Sequence, residues 1–306
     1  MTSRYRGKRV GVLLGGMSTE RAISLKSGHA VHGALVSRGY DAVEIDVGPD
    51  VAERLRAERI DVCFVALHGI YGEDGCIQGL LEILRIPYTG SGVLGSALAM
   101  DKIATKRILR GLGLTMAEDV VWRAGDPLPD IAFPVFAKTP QGGSTLGIVQ
   151  CADASGLEKA LVDLQQYDAQ VLIERKIEGE EITVAVLDGR ALPVVAIRPK
   201  EGFFDFDAKY TKGLTDYLVP APISASAAAH AQRDSVLAYR TLALRGVARA
   251  DFILDANDVP WFLEINTIPG MTATSLSPMA AQAVGMGFED FVETLLEGAR
   301  LDRVPA

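Results

Sequence analysis

The stretch Arg249 to Gly270, RADFILDANDVPWFLEINTIPG, constrains this chain more than any other, because charges of both signs recur at period two and the run ends in Pro-Gly. Strand formers Phe252-Ile253-Leu254 and Trp261-Phe262-Leu263 flank the turn formers Asp255 to Asp258, which predicts a hairpin. If Leu254 pairs with Val259, Arg249 lies opposite Glu264, and Asp251, Glu264 and Asn266 share its face because side chains alternate along a strand. One face then carries hard oxygens beside a fixed cation. Such a set suits Mg2+, which takes few carboxylate or carbonyl oxygens and completes its shell with water and substrate phosphates. A half-buried hairpin whose polar face is simply wet gives the same pattern, so the rest of the chain must decide.

With 306 residues the chain can bury a full core and supports two or three domains. A formal net charge of -8 argues against nucleic acid as the main partner, since phosphate binding wants a basic surface. Cys63, Cys76 and Cys151 are too few and too scattered for a disulfide framework or a Cys-x-x-Cys metal site, which favours a reducing, cytosolic compartment. No stretch approaches the ~20 apolar residues of a membrane span. The first apolar run, Val10 to Leu14, is too short for a signal peptide and reads as an opening strand.

Lys8 to Leu14 ends in Gly15-Gly16, with Ser18 or Thr19 placed to cap a helix reaching about Arg38. Strand, glycine turn and helix make an anion cradle, but the Gly-x-Gly-x-x-Gly spacing of a dinucleotide site is missing. Glu20 stands where phosphate would want no carboxylate and suits a ligand ammonium instead. Strands at Asp41–Asp46 and Asp61–Leu67, with a helix from Val51 to Arg59 between them, complete a doubly wound α/β unit. His68-Gly69-Ile70-Tyr71-Gly72-Glu73-Asp74-Gly75 follows at a strand's carboxyl end, where open α/β sheets place ligands; His68 either orients substrate or caps a turn. His29 and His32 have metal-ligand spacing on a helix, but nothing in the sequence supplies further ligands, so they read as surface positions.

Further on, Cys76–Leu84 reads as a helix, Ile86–Thr89 as a short strand, and Val93–Gly111 as one helix carrying Asp101, Lys102 and Lys106. Thr115 to Pro134 reads as a domain crossing. Lys138 ends a strand and precedes Gln141-Gly142-Gly143-Ser144-Thr145-Leu146-Gly147, a glycine loop with hydroxyls that can close over a triphosphate. It is not a P-loop, because the lysine precedes the glycines and another strand follows. Glu178 to Glu181 reads as an inter-domain hinge, Asp188-Gly189 as a hairpin turn, and Phe203 to Pro222 as a long lid or binding loop. Ser224 to Leu244 is an Ala-rich helix, and Phe288 to Leu301 the last one.

The runs LLGGMSTER, ALHGIYGEDG, YTGSGVLGSALAMDK, the Lys138 strand with its Gly-Gly-Ser-Thr loop, IERKIEGEE, DAKYTKG, RADF and EINTIPGMTATSLSP occur in this order. Over essentially its whole length the chain resembles the ATP-grasp family, and within it the D-alanine:D-alanine ligases. The resemblance implies an α/β fold of three domains, about 1–92, 93–179 and 180–306, with ATP gripped between the last two. It implies Lys102 and Lys138 at the α and β phosphates, a cover from Gly142, Gly143, Ser144 and Thr145, Glu174, Arg175 and Ile177 around adenine, Glu181 at the ribose and Lys209 at the transferred phosphate. Asp251, Glu264 and Asn266 would hold Mg2+ or Mn2+, with two ions expected.

For the substrates, two D-alanines, the resemblance implies Glu20 at the first ammonium and Ser275 with Leu276 at the second carboxylate. Arg249 and the Gly270 N–H would meet the developing oxyanion, and Tyr210 with Glu20 and Ser144 would close the lid. The alternatives are D-Ala:D-Lac or D-Ala:D-Ser ligation on the same fold, or a non-catalytic nucleotide-binding regulator. Such folds often form homodimers. One departure stands out: Thr139-Pro140-Gln141-Gly142-Gly143 replaces the family's Pro and Arg-Glu pair, and the extra glycine predicts a more mobile lid.

Overall fold

The structure is a computed structural model that describes residues 3–142, 147–199 and 215–302. Its first sheet is parallel, with β1 (Arg9–Leu14) between β2 (Asp41–Asp46) and β3 (Val62–Val65). The unbroken apolar run of β1 is explained by cover on both faces: Val10 to Leu14 are all buried. α1 (Arg21–Ser37) and α2 (Val51–Ala57) make the crossovers. The residue before α1 is Glu20, and neither Ser18 nor Thr19 caps the helix as expected; the Ser18 hydroxyl donates to the His68 carbonyl at 2.6 Å instead. The strand expected at Ile86–Thr89 reduces to Tyr88 alone, bridged in parallel to Cys63 and antiparallel to Arg300.

After α3 (Cys76–Leu84), the helix expected from Val93 to Gly111 is two helices, α4 (Val93–Met100) and α5 (Lys102–Arg110). Asp101 breaks the run: its backbone is extended, φ -89° and ψ 104°, and its carboxylate accepts the Ala104 N–H at 2.8 Å. Helical periodicity could not reveal this, because an Asp at an N-cap looks like any polar helical residue until its backbone is known. The break matters for the site. Lys102 and Lys106 now lie one turn apart on α5, both almost wholly buried.

The second sheet is antiparallel in the order β4 (Asp119–Arg123), β7 (Gln170–Arg175), β5 (Val135–Lys138), β6 (Ile148–Cys151). β4 lies inside the segment expected to be a plain crossing. α6 (Ala154–Leu164), capped by Asp153 on the Gly156 N–H, covers this sheet and packs Leu157 and Leu161 into its own core with Val135 and Ile173. The third sheet runs β11 (Thr215–Leu218), β10 (Val195–Pro199), β8 (Glu180–Leu187), β12 (Val247–Leu254), β13 (Pro260–Asn266), with β9 (Arg190–Ala191) beside β8. β11 lies within the stretch expected to be loop, while residues 203–214 of that stretch lie outside the described ones. The expected hinge is partly sheet, since Glu180 and Glu181 begin β8. Gly179 ahead of them has no room for a side chain: a Cβ there would stand 2.1 Å from the Leu254 carbonyl oxygen.

α7 (Ala225–Thr241), capped by Ser224 on the Ala227 N–H, packs on β8, β12 and β13. α8 (Leu276–Gln282) and α9 (Phe288–Glu297) then return the chain to α1. The first and third sheets consequently share one core, in which Val10, Leu14 and Leu35 meet Leu187, Val247, Phe291 and Leu295. Among the described residues no helix is long and apolar enough to cross a membrane.

Candidate active site

β12 and β13 form the expected hairpin in a different register. Leu254 pairs with Pro260, Asp251 with Glu264 and Arg249 with Asn266, and the pairing slips by one residue between Asp251 and Phe252. Two single-residue shifts correct the expected Arg249–Glu264 pair: the strands close at Leu254–Pro260 rather than Leu254–Val259, and the bulge adds one more; neither can be read from alternation alone. Phe252 and Phe262 face each other edge to face, 5.6 Å apart, directly beyond the slip. The polar residues still share a face. Asp251 is 5% exposed and accepts Arg249 Nε at 2.9 Å and Nη2 at 2.8 Å, the Thr183 hydroxyl at 2.6 Å and the Asn266 amide nitrogen at 3.1 Å. Because Asn266 turns its nitrogen to Asp251, its oxygen is left for another partner.

Across the cleft, Lys102 Nζ lies 3.2 Å from Glu264 and donates to the Gly142 carbonyl at 2.6 Å. Gly142 is held in turn by its loop, where the Lys102 N–H meets the Pro140 carbonyl at 3.1 Å. On the second sheet Phe136 pairs with Glu174 and Lys138 with Leu172, so Lys138 and Glu174 are diagonal neighbours on one face. Glu174 is buried, and its two oxygens accept Lys106 and Lys138 respectively. Burial opposes its ionisation, yet the two ammonium groups outweigh that and hold its carboxyl well below the usual range. Burial works against the charge on Lys138 too, and Glu174, Glu264 and Glu181 together more than restore it.

Two cavities meet at this wall. One, of about 420 Å³, is lined by Lys138, Glu174, Arg175, Ile177, Glu181, Asp251 and Glu264 among others. The other, of about 470 Å³, is lined by Glu20, His68, Glu73, Arg249, Asn266, Gly270, Ser275 and Leu276, and again by Glu181 and Glu264. Glu181 and Glu264 thus belong to both. Every candidate residue within the described segments lies in this double cavity or, like Lys102 and Gly142, is bonded to its wall. Gly143, Ser144, Thr145, Lys209 and Tyr210 lie outside the described residues.

At the first glycine turn Glu20 is 9% exposed and packs against Gly69, whose φ of +71° and missing Cβ admit the carboxylate: a Cβ would stand 2.6 Å from Glu20 Oε2. His68 is buried, its ring Nε2 3.1 Å from the Ser27 hydroxyl, which also accepts the Met271 N–H at 3.1 Å. Burial, helped by Arg249, lowers its pKa to about 4, so the ring is neutral near pH 7. Ser275 is anchored by the Thr272 N–H at 3.1 Å and the Thr272 hydroxyl at 2.9 Å, beside Gly270.

Sequence reasoning singled out neither Glu73 nor Lys106 as a site residue. Glu73 accepts the Gly69 N–H at 2.8 Å and the Ile268 N–H at 3.2 Å, tying the first glycine-rich loop to the end of β13. Burial, with Glu20 nearby, pushes its pKa up to about 8. Its place five residues after His68 in a glycine-rich loop was the available signal. The donor set also fits a divalent ion: Asp251, Glu264 and Asn266 offer two carboxylates and an amide oxygen on one face. Among the described residues no group of three His, Cys, Asp or Glu side chains is placed to hold a metal ion. His29 and His32 both approach Glu44, at 2.8 and 3.3 Å, away from the cavities.

Two antiparallel sheets facing across a lysine-lined cavity, with an acidic hairpin as its floor, define the ATP-grasp class. Comparison with known proteins narrows this. Residues 126–297 match the family description "D-ala D-ala ligase C-terminus" and residues 50–91 match "D-ala D-ala ligase N-terminus". A D-alanine–D-alanine ligase of Geotalea uraniireducens is 47% identical over 96% of each chain, and one of Desulforudis audaxviator is 47% identical over 96% of this chain and 99% of its own. The crystal structure of the Bacillus anthracis D-alanine–D-alanine ligase complexed with ATP superposes with a TM-score of 0.84 at 32% identity, covering 95% of this chain and 97% of that one. This chain belongs to the D-alanine–D-alanine ligase family.

Proposed function

We propose that the protein joins two D-alanines into D-alanyl-D-alanine at the expense of ATP, for peptidoglycan precursor synthesis in the cytoplasm. The observation that carries this is the pair Glu181 and Glu264 standing in both cavities, so that a nucleotide held beside Lys138 faces an amino acid held beside Glu20. A carboxylate does not react with an amine, so the γ-phosphoryl group is first transferred to the carboxylate of one D-alanine. Positioning and cation clamping do most of that work. Lys102 and Lys138 hold the phosphates, Glu174, Arg175 and Ile177 the adenine, and Glu181 the ribose; Asp251, Glu264 and Asn266 would hold Mg2+ or Mn2+, two ions in all. Those ions neutralise phosphate charge when bound.

The amine of the second D-alanine then attacks the acyl phosphate, and phosphate leaves. Glu20 holds the first ammonium, Ser275 and Leu276 the second carboxylate, and Arg249 with the Gly270 N–H stabilises the tetrahedral oxyanion. His68, neutral and hydrogen-bonded to Ser27, orients the substrate wall rather than taking protons. Lys209 and Tyr210 are assigned to the transferred phosphate and the closing lid, with Ser144 and Thr145 in the phosphate cover, which keeps water from the acyl phosphate. A homodimer through the first unit is part of this reading, supported by the exposed apolar side chain of Ile83 on α3; sedimentation tests it.

Phosphate release from ATP with D-alanine alone, set against D-alanine plus D-lactate or D-serine, tests the main reading. Release with D-alanine alone is expected; none with D-alanine but release with a mixed pair would sink it. Glu264→Gln should cut turnover more than about tenfold while the thermal midpoint barely moves, because it removes a charge from a functional face and not from the core. Unchanged turnover at the same Mg2+ requirement contradicts the metal assignment.

A further inference from the structure

We infer that Lys106 is a positioning residue for nucleotide binding: a standing counter-ion that holds Glu174 in place so that Lys138 is free to move to the phosphates. The inference rests on the nucleotide reading of the cavity around Lys138. Three buried groups lie in a row, Lys106, Glu174 and Lys138, with side-chain exposures of 3%, 5% and 13%. Each Glu174 oxygen takes one ammonium. Glu174 and Lys138 line the cavity, and Lys106 is not among its lining residues, so Lys106 acts on a ligand only through Glu174.

A buried carboxylate that loses its only charged partner is strongly destabilised, because nothing replaces the lost hydration. If Lys138 were the sole partner of Glu174, turning to a phosphate would orphan that carboxylate, and the pair would resist nucleotide entry. Lys106 removes the conflict. It keeps Glu174 ionised and oriented, and leaves Lys138 an ammonium whose other neighbours, Glu264 and Glu181, also face the cavity. The break at Asp101 is what makes this possible, since it starts α5 so that Lys102 faces Glu264 while Lys106, one turn on, faces Glu174.

The test is calorimetric binding of ADP in excess MgCl2, with steady-state kinetics alongside. Lys106→Met should weaken ADP and raise KM for ATP by roughly tenfold or more, with KM for D-alanine unchanged. In an E174Q background the same K106M substitution should cost far less ADP affinity than it does in wild type, because glutamine needs no counter-ion; a purely structural role would make it cost as much in both backgrounds. K106M binding ADP within twofold of wild type overturns the inference alone, whereas a wild-type chain that binds no ADP overturns the nucleotide reading and this inference with it. Should K106M not fold, K106M/E174Q is read against E174Q alone: affinity within about fivefold supports the role, and a hundredfold loss overturns it.

Discussion

Glu73 shows how a single carboxyl can be forced away from its ordinary chemistry. It is enclosed between Gly69 and Ile268, with Glu20 as its charged neighbour, and its pKa rises from about 4.5 to about 8. A folded-state value above the unfolded one means the protonated form is favoured by folding. That stability is fully present below about pH 4.5 and is lost as pH rises through about 8. Glu73→Gln has no proton to lose, so the ligand-free variant should show a flatter thermal midpoint between pH 5 and pH 9 than wild type. Parallel curves for the two proteins would remove this assignment. Lys106 and Glu174 illustrate the opposite arrangement, in which two cations over-compensate burial and keep the carboxylate charged.

At the level of elements, the hairpin β12–β13 has a face that does chemistry and a face that holds it still. Phe262, 1% exposed and in edge contact with Phe252, anchors the strand just past the bulge. Phe262→Ala should cost about 3–5 kcal/mol by chemical denaturation, because a cavity opens that the strands cannot close. Much of this element was legible in the sequence: alternation gave the strands, Asp255 to Asp258 the turn, and period two the shared face of Asp251, Glu264 and Asn266. The register was not, since a turn one residue longer and a bulge both leave alternation along each strand intact. The break at Asp101 and the strand at Thr215–Leu218 were missed for a related reason: each depends on a partner distant in sequence, the Gln141 loop in one case and β10 in the other. The order of the candidate residues along the chain was readable; Lys106 and Glu73 were not singled out because their significance lies in what they touch.

Over the whole molecule, the first and third sheets share one core while the second sheet keeps its own. The two tryptophans of the chain report on these separately, Trp122 on β4 and Trp261 on β13. Leu35→Ala, emptying a fully buried position in the shared core, should lower the unfolding midpoint seen by Trp261 in a W122F background more than that seen by Trp122 in a W261F background. Equal shifts would mean that the two cores unfold as one unit.

The two walls common to both cavities carry one more consequence. Glu181 and Glu264 cannot respond to an occupant on one side without altering what the other side meets. Thermodynamic linkage makes that influence reciprocal: whatever factor D-alanine applies to the equilibrium affinity for ADP, ADP must apply to D-alanine. The shortest route by which one site can influence the other therefore runs through two shared side chains rather than through a distant relay.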